Sequence, residues 1–209
     1  MLYKETVEPA TLGLLKELLT LKELEQFRLV GGTALSLLLG HRTSIDLDLF
    51  TDKQFDFDEI SFKLSDTFPS FFAKEKKSPR LLFTTINNVK IDFVHTFEPF
   101  IYPMNEIEGI RFAAIEEIIA LKLNAIAGRG AKKDFWDLNE LLERYSFEQM
   151  MDFYKKRYPQ HSPMMVLKSV TYFLEADQDE DPLCFKKRNW KEVKKNILKK
   201  FNNYIKNIS

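Results

Sequence analysis

Two carboxylates, Asp46 and Asp48, stand two positions apart in the run IDLDLF. On a strand such residues share a face and lie about 7 Å from one another. Hard cations such as Mg²⁺ take carboxylate oxygens and readily add phosphate oxygens. A third acid on an adjacent strand would complete a two-metal clamp for in-line phosphoryl transfer. Asp92, in KIDFV, is the candidate. Upstream lies Gly31-Gly32-Thr33, and Asp46 follows Thr33 by thirteen positions. A Gly-Gly pair at a strand-to-helix turn lets the backbone approach a phosphate, and the helix N-terminus supplies free N–H groups. Thr33 adds a hydroxyl. Like charges on one strand face repel, so something cationic should neutralise them.

These residues need elements to position them. Residues 45–50 alternate strictly, which puts Ile45, Leu47 and Leu49 on one face and both Asp residues on the other. VKIDFVH, residues 89–95, alternates likewise, with Lys90 and Asp92 sharing its polar face. Asn87-Asn88 predicts a hairpin turn from a strand over 81–86, because Asn tolerates positive φ. Further strands are expected over 27–30 and 70–75, and helices over 9–25, 33–39 and 57–67. From about residue 113 the period becomes helical. AAIEEIIALKLNAIA ends at Gly128, KDFWDLNELLERY follows, and two or three helices reach residue 208. The acidic run 175–181 before Pro182 reads as a loop. The fold class is therefore α+β. A mixed β-sheet flanked by helices is expected over residues 1–105, and a helical domain packed on that core over 106–209.

Composition excludes other classes. Lys+Arg and Asp+Glu are 31 each, which argues against a chain-wide basic coat for nucleic acid and against an acidic disordered chain. A hydrophobic content of 44% excludes intrinsic disorder. The lone Cys184 excludes an intramolecular disulfide framework and a Cys-rich zinc cluster, and neither His95 nor His161 has a spaced partner. No apolar run approaches the roughly 18 residues of a membrane span. MLYKETVEPA lacks a basic patch followed by an apolar core. The expectation is a soluble cytoplasmic protein with no membrane contact. Residues 186–206 hold nine Lys/Arg against Glu192. That tail reads either as a solvated amphipathic helix or as a contact for RNA phosphate, and the acidic run beside it could neutralise it.

The run GGTALSLLLGHRTSIDLDLF resembles the signature of the AbiEii/AbiGii-like nucleotidyltransferase toxins of the DNA polymerase beta superfamily. ALKLNAIAGRGAKKDFWDLNELL is similar to the same family's later motif, so the resemblance covers about residues 27–145. It implies a nucleotidyltransferase-type sheet. Gly31, Gly32 and Thr33 then match the phosphate motif, with Thr in place of the usual Ser. Asp46 and Asp48 match metal ligands, and Asp92 fits the third acid. Lys122 matches a lysine for the nucleotide's phosphates, and Asp134 an acid that helps activate the acceptor hydroxyl. Arg129 lies seven positions after Lys122 on one helix face and could point at the same anion. Arg42 either touches the triphosphate or braces a turn. Lys132, Lys133 and Asp134 also suit a charged loop and N-cap, while Trp136 and Asp137 suit helix packing. The implied activity is Mg²⁺- or Mn²⁺-dependent transfer of a nucleoside monophosphate from an NTP to RNA, such as tRNA, or to protein. The implied setting is a toxin–antitoxin or phage-defence system with an antitoxin partner. Lys132 and Lys133 would then receive a polyanionic acceptor. The rivals are a small-molecule, antibiotic-type nucleotidyltransferase and a non-catalytic nucleotide- or RNA-binding module. The intact acid set argues against the latter.

Overall fold

The computed structural model describes residues 1–74 and 78–208. The chain divides into two compact units. One comprises Met1–Gly40 and Ser44–Ala113, the other His41–Thr43 and Ala114–Ser209.

Among the described residues the first unit is a seven-stranded mixed sheet with three α-helices and two short 3-10 turns. Its strands are β1 (Arg28–Val30), β2 (Leu47–Thr51), β3 (Phe72–Ala73), β4 (Leu81–Ile86), β5 (Val89–His95), β6 (Asn105–Ile107) and β7 (Ile110–Phe112). Their order is β3-β4-β5-β2-β1-β7-β6. The pairs β2–β5 and β1–β7 are parallel and the rest antiparallel. The helices are α1 (Pro9–Thr20), α2 (Gly31–Leu39) and α3 (Phe57–Thr67). The expected strand over 70–75 is the short β3, and Glu75 lies outside the described residues.

Local chemistry explains these elements. Asn87 and Asn88 both take positive φ between Ile86 and Val89, the backbone of a two-residue hairpin turn. Glu108 and Gly109 do the same between β6 and β7, a hairpin that the sequence pattern did not reveal. Arg111 fastens β7 by donating to the carbonyls of Leu19, Leu24 and Phe27. Gly40 closes α2 in the left-handed region, its N–H bonded to Ser36 O at 2.9 Å. Leu47, Leu49, Ile91 and Phe93 form the buried side of the two central strands, with Leu35 and Leu37 of α2 also in the core. The alternation therefore turns the polar residues of β2 and β5 to the opposite face.

The second unit consists of α4 (Ile115–Gly128), α5 (Lys132–Leu141), α6 (Phe147–Arg157), α7 (Pro163–Ser169) and α8 (Trp190–Ile208). Ile118, Leu123, Phe135, Leu138, Met150 and Val166 make its core. Residues 41–43 join it because Thr43 N–H bonds Leu183 O and Phe185 N–H bonds His41 O, both at 3.0 Å. A capping box of Ser146 and Gln149 starts α6. Helix α5 starts differently from the expected Asp134 cap. Asp134 lies inside the first turn, and the Lys132 N–H is taken by Asp179 Oδ2 at 2.9 Å. The acidic run also accepts from the basic tail, with Asp177 bound by Trp190 Nε1 and Lys194 Nζ at 2.5 and 2.7 Å. Trp190 stacks on Trp136 at 5.5 Å. Among the described residues no helix is long and apolar enough to cross a membrane.

Candidate active site

The acid face of the sheet forms because β2 and β5 are parallel neighbours in register. Asp48 is the Cα partner of Asp92, flanked by the buried pairs Leu47–Ile91 and Leu49–Phe93. Adjacent strands lie about 4.8 Å apart, so these two carboxylates leave the same face side by side. Asp46 departs from expectation. It precedes the strand, and Ile45 is 69% exposed instead of sharing the face of Leu47 and Leu49. The cause is Thr33, which is fully buried and donates its hydroxyl to the Asp46 carbonyl while also contacting Ser44 Oγ at 2.9 Å. Thr33 thus fixes the approach of the acid strand. Its hydroxyl is buried against these two partners.

Gly31 closes this region. It takes φ of 70° directly after β1, whose Val30 is the Cα partner of Asp48. A Cβ at Gly31 would stand 2.0 Å from Asp48 Oδ2. Only glycine permits both the left-handed backbone and this closeness. Gly32 follows in the first turn of α2, whose N-cap, Val30, offers no side-chain bond to the free N–H groups.

Lys90 shares the face with Asp92 and binds its Oδ2 at 2.7 Å. Burial works to lower the Lys90 pKa, but the Asp92 hydrogen bond and the charges of Asp92, Asp46 and Asp48 outweigh it and raise it. Asp92 Oδ1 is buried and accepts no hydrogen bond. Among the described residues no three His, Cys, Asp or Glu side chains converge as a ready-made cation cage. The donor chemistry still suits a hard divalent cation. Two carboxylates are neighbours, a third lies two positions upstream, one oxygen is orphaned, and the bare Gly31 backbone presses on Asp48.

The second unit holds the other candidate residues in a buried ionic cluster. Asp137 Oδ1 contacts His41 Nε2 and accepts from Arg42 Nε, both at 2.7 Å. Its Oδ2 accepts from Arg42 Nη2 and Lys122 Nζ, both at 2.8 Å. Asp134 accepts from Lys122 Nζ at 2.9 Å and from Arg129 at 2.9 and 3.1 Å. Burial opposes ionisation of Asp137, yet the charges of Arg42 and Lys122 hold its carboxyl well below the usual range. Asp134 is held low against burial by Lys122 and Arg129. Burial likewise works against the Lys122 ammonium, and Asp137 and Asp134 more than restore it, raising its pKa. The side chain of Arg129 is 61% exposed, whereas that of Lys122 is buried. Lys132 is also buried, bound to the Asp179 carbonyl and to Asp181 at 3.0 Å, which leaves Lys133 as the exposed lysine of that pair.

The structure thus brings Asp48, Asp92 and Gly31 together in the first unit, and Arg42, Lys122, Arg129 and Asp134 together in the second. Sequence reasoning assigned Asp137 to packing, and it is the hub of the second cluster. Its position three residues after Asp134, on one helix face, was the available signal. Lys90 was visible only as a polar neighbour of Asp92.

Known proteins resemble this chain in sequence and fold. The family model for the nucleotidyl transferase AbiEii toxin, type IV TA system, matches residues 13–206. An uncharacterised protein of Aquifex aeolicus (strain VF5) is 31% identical over 203 residues, covering 92% of this chain and 95% of its own. The crystal structure of JHP933 from Helicobacter pylori aligns with a TM-score of 0.54 at 21% identity, over 94% of this chain and 92% of that one. MenT4, a nucleotidyltransferase toxin of Mycobacterium tuberculosis H37Rv, aligns with a TM-score of 0.51 at 16% identity, over 84% and 74%. Both alignments show the shared fold.

Proposed function

The chain belongs to the AbiEii nucleotidyltransferase toxin family, and from that premise we propose that it moves a nucleoside monophosphate from an NTP to a hydroxyl of RNA or protein. The observation that carries this reading is the in-register pair Asp48–Asp92 beside the Gly31 turn. The acceptor oxygen attacks the α-phosphorus, the bond to the bridging β-phosphate oxygen breaks, and pyrophosphate leaves. Asp46, Asp48 and Asp92 would hold a Mg²⁺ or Mn²⁺ ion, which would supply Lewis-acid stabilisation of the phosphoryl oxygens.

The chain's own residues do the rest. The free N–H groups at the start of α2 bind triphosphate oxygens, which Gly31 and Gly32 allow to approach the backbone. Thr33 holds the Asp46 segment in place. A carboxylate of the Asp48–Asp92 pair takes the proton of the attacking hydroxyl. Arg129 has an exposed side chain held by Asp134, and in the second unit it is the residue we assign to contact an anionic group. Asp134 acts as a positioning residue for Arg129, and Lys122 and Arg42 hold the cluster around it through Asp134 and Asp137. The family's type IV toxin–antitoxin description supports an antitoxin as the protein partner.

The test is label transfer. The protein is incubated with each α-labelled NTP, Mg²⁺ and a total cell extract containing RNA and protein. Label in an RNA or protein band, dependent on Mg²⁺, supports the reading. Label only in small molecules, or nowhere, overturns it.

A further inference from the structure

The face that carries the acids also carries its own cation. Lys90 and Asp92 are two apart on β5 and project to one side, and Lys90 Nζ sits 2.7 Å from Asp92 Oδ2. Lys90 precedes the registered pair Leu47–Ile91 by one position, and Asp48 and Asp92 stand level one step on. The charges of all three carboxylates act on this ammonium. An ammonium bound to Asp92 Oδ2 holds an oxygen that a divalent cation at this face would need. The Lys90 side chain is 46% exposed, so it can leave without disturbing the core.

We propose that Lys90 is a built-in counter-cation that occupies the acid face until a metal–nucleotide arrives. A bare divalent cation must displace the ammonium and leave it beside a second positive charge, which is unfavourable. A cation that arrives on a triphosphate brings several negative oxygens, and Lys90 exchanges its carboxylate partner for phosphate. Metal loading therefore depends on nucleotide, and Lys90 is a positioning residue that sets the dependence. This rests on the reading of the acid face as the metal–nucleotide site.

The experiment is Mn²⁺ titration of the full chain followed by electron paramagnetic resonance, at constant pH, with and without a non-hydrolysable NTP analogue. Removing one charge a few ångströms from the bound ion, in a medium between protein and water, should tighten Mn²⁺ binding to nucleotide-free Lys90→Met about tenfold. The gain in affinity that the analogue brings should shrink by about the same factor. Lys90→Gln carries the same expectation should Met disturb the surface, and Lys90→Arg should behave as the parent. Equal or weaker Mn²⁺ binding by both neutral variants, or an unchanged gain from the analogue, overturns this inference alone. Absence of Mn²⁺ binding to the parent with the analogue present overturns the functional reading as well.

Discussion

Two groups of charged residues dominate this molecule, and they are built on opposite terms. In the second unit the carboxylates of Asp134 and Asp137 are fully buried, and Arg42, Lys122 and Arg129 surround them with hydrogen-bonded positive charge. In the first unit Asp46, Asp48 and Asp92 are half-buried, and the partly exposed Lys90 binds Asp92. A buried carboxylate without partners is too costly to keep, so the inner cluster must be satisfied for the unit to fold. A half-buried face holds carboxylates at a smaller desolvation cost, because part of each side chain stays in water. Similar residue types therefore serve stability in one place and, as we propose, chemistry in the other, and the difference lies in burial and pairing.

The largest break in this comparison should come from Asp137→Ala. It leaves Arg42 and Lys122 buried beside an empty space, and losing one partner of a buried pair costs about 3–5 kcal/mol. Urea unfolding followed by circular dichroism should show that loss. A cost under about 1 kcal/mol, the range of an exposed ion pair, would mean that the inner cluster is no more structural than the outer face.

A smaller effect is expected from Gly31→Ala. The residue needs φ of 70°, and the added methyl would collide with Asp48. Backbone strain of this kind costs about 1–3 kcal/mol. The same variant should bind Mn²⁺ more weakly, because Asp48 must move. Unchanged stability and unchanged Mn²⁺ binding would remove Gly31 from the site.

The mildest probe is pH. Folding depresses the Asp134 and Asp137 carboxyls, so the stability they contribute is fully present above the ordinary aspartate value of about 3.9. It is lost as pH falls through their lower folded values. Lys122 works in the other direction. Its pKa is raised, so its contribution is full below the unfolded value of about 10.4 and is lost as pH rises through the folded one. Urea midpoints for the parent should fall steeply below about pH 4, and Asp137→Asn should show a shallower fall. Identical slopes would contradict the assignment of acid sensitivity to this cluster.

Much of the acid face was legible because strand alternation is a local property. Asp48 and Asp92 share a face for the reason that Leu47, Leu49, Ile91 and Phe93 are buried, and that pattern is written in the chain. Asp46 was less legible. A hydroxyl thirteen positions upstream holds its carbonyl, and no period reports such a bond. The β6–β7 hairpin escaped notice because strands of three residues are too short for alternation to register. Trp136 is buried as expected of a packing residue, but Asp137 beside it collects donors from residues 95 and 96 positions away. The α5 N-terminus is likewise capped by Asp179, 47 positions on. Sequence spacing within a helix identifies the face that gathers charge but not the distant partners that complete it.

We assign nucleotide transfer to the acid face of the sheet. Asp48→Asn tests it most directly, since the amide keeps the side chain's shape and removes the charge a divalent cation needs. Label transfer from α-labelled NTP should be compared for parent and variant at equal Mg²⁺, with urea unfolding run on both. We expect a loss of at least about a hundredfold in transfer, the scale of several kcal/mol of phosphoryl-charge stabilisation, with the unfolding midpoint nearly unchanged. Transfer within about threefold of the parent, by a variant equally folded, would contradict it.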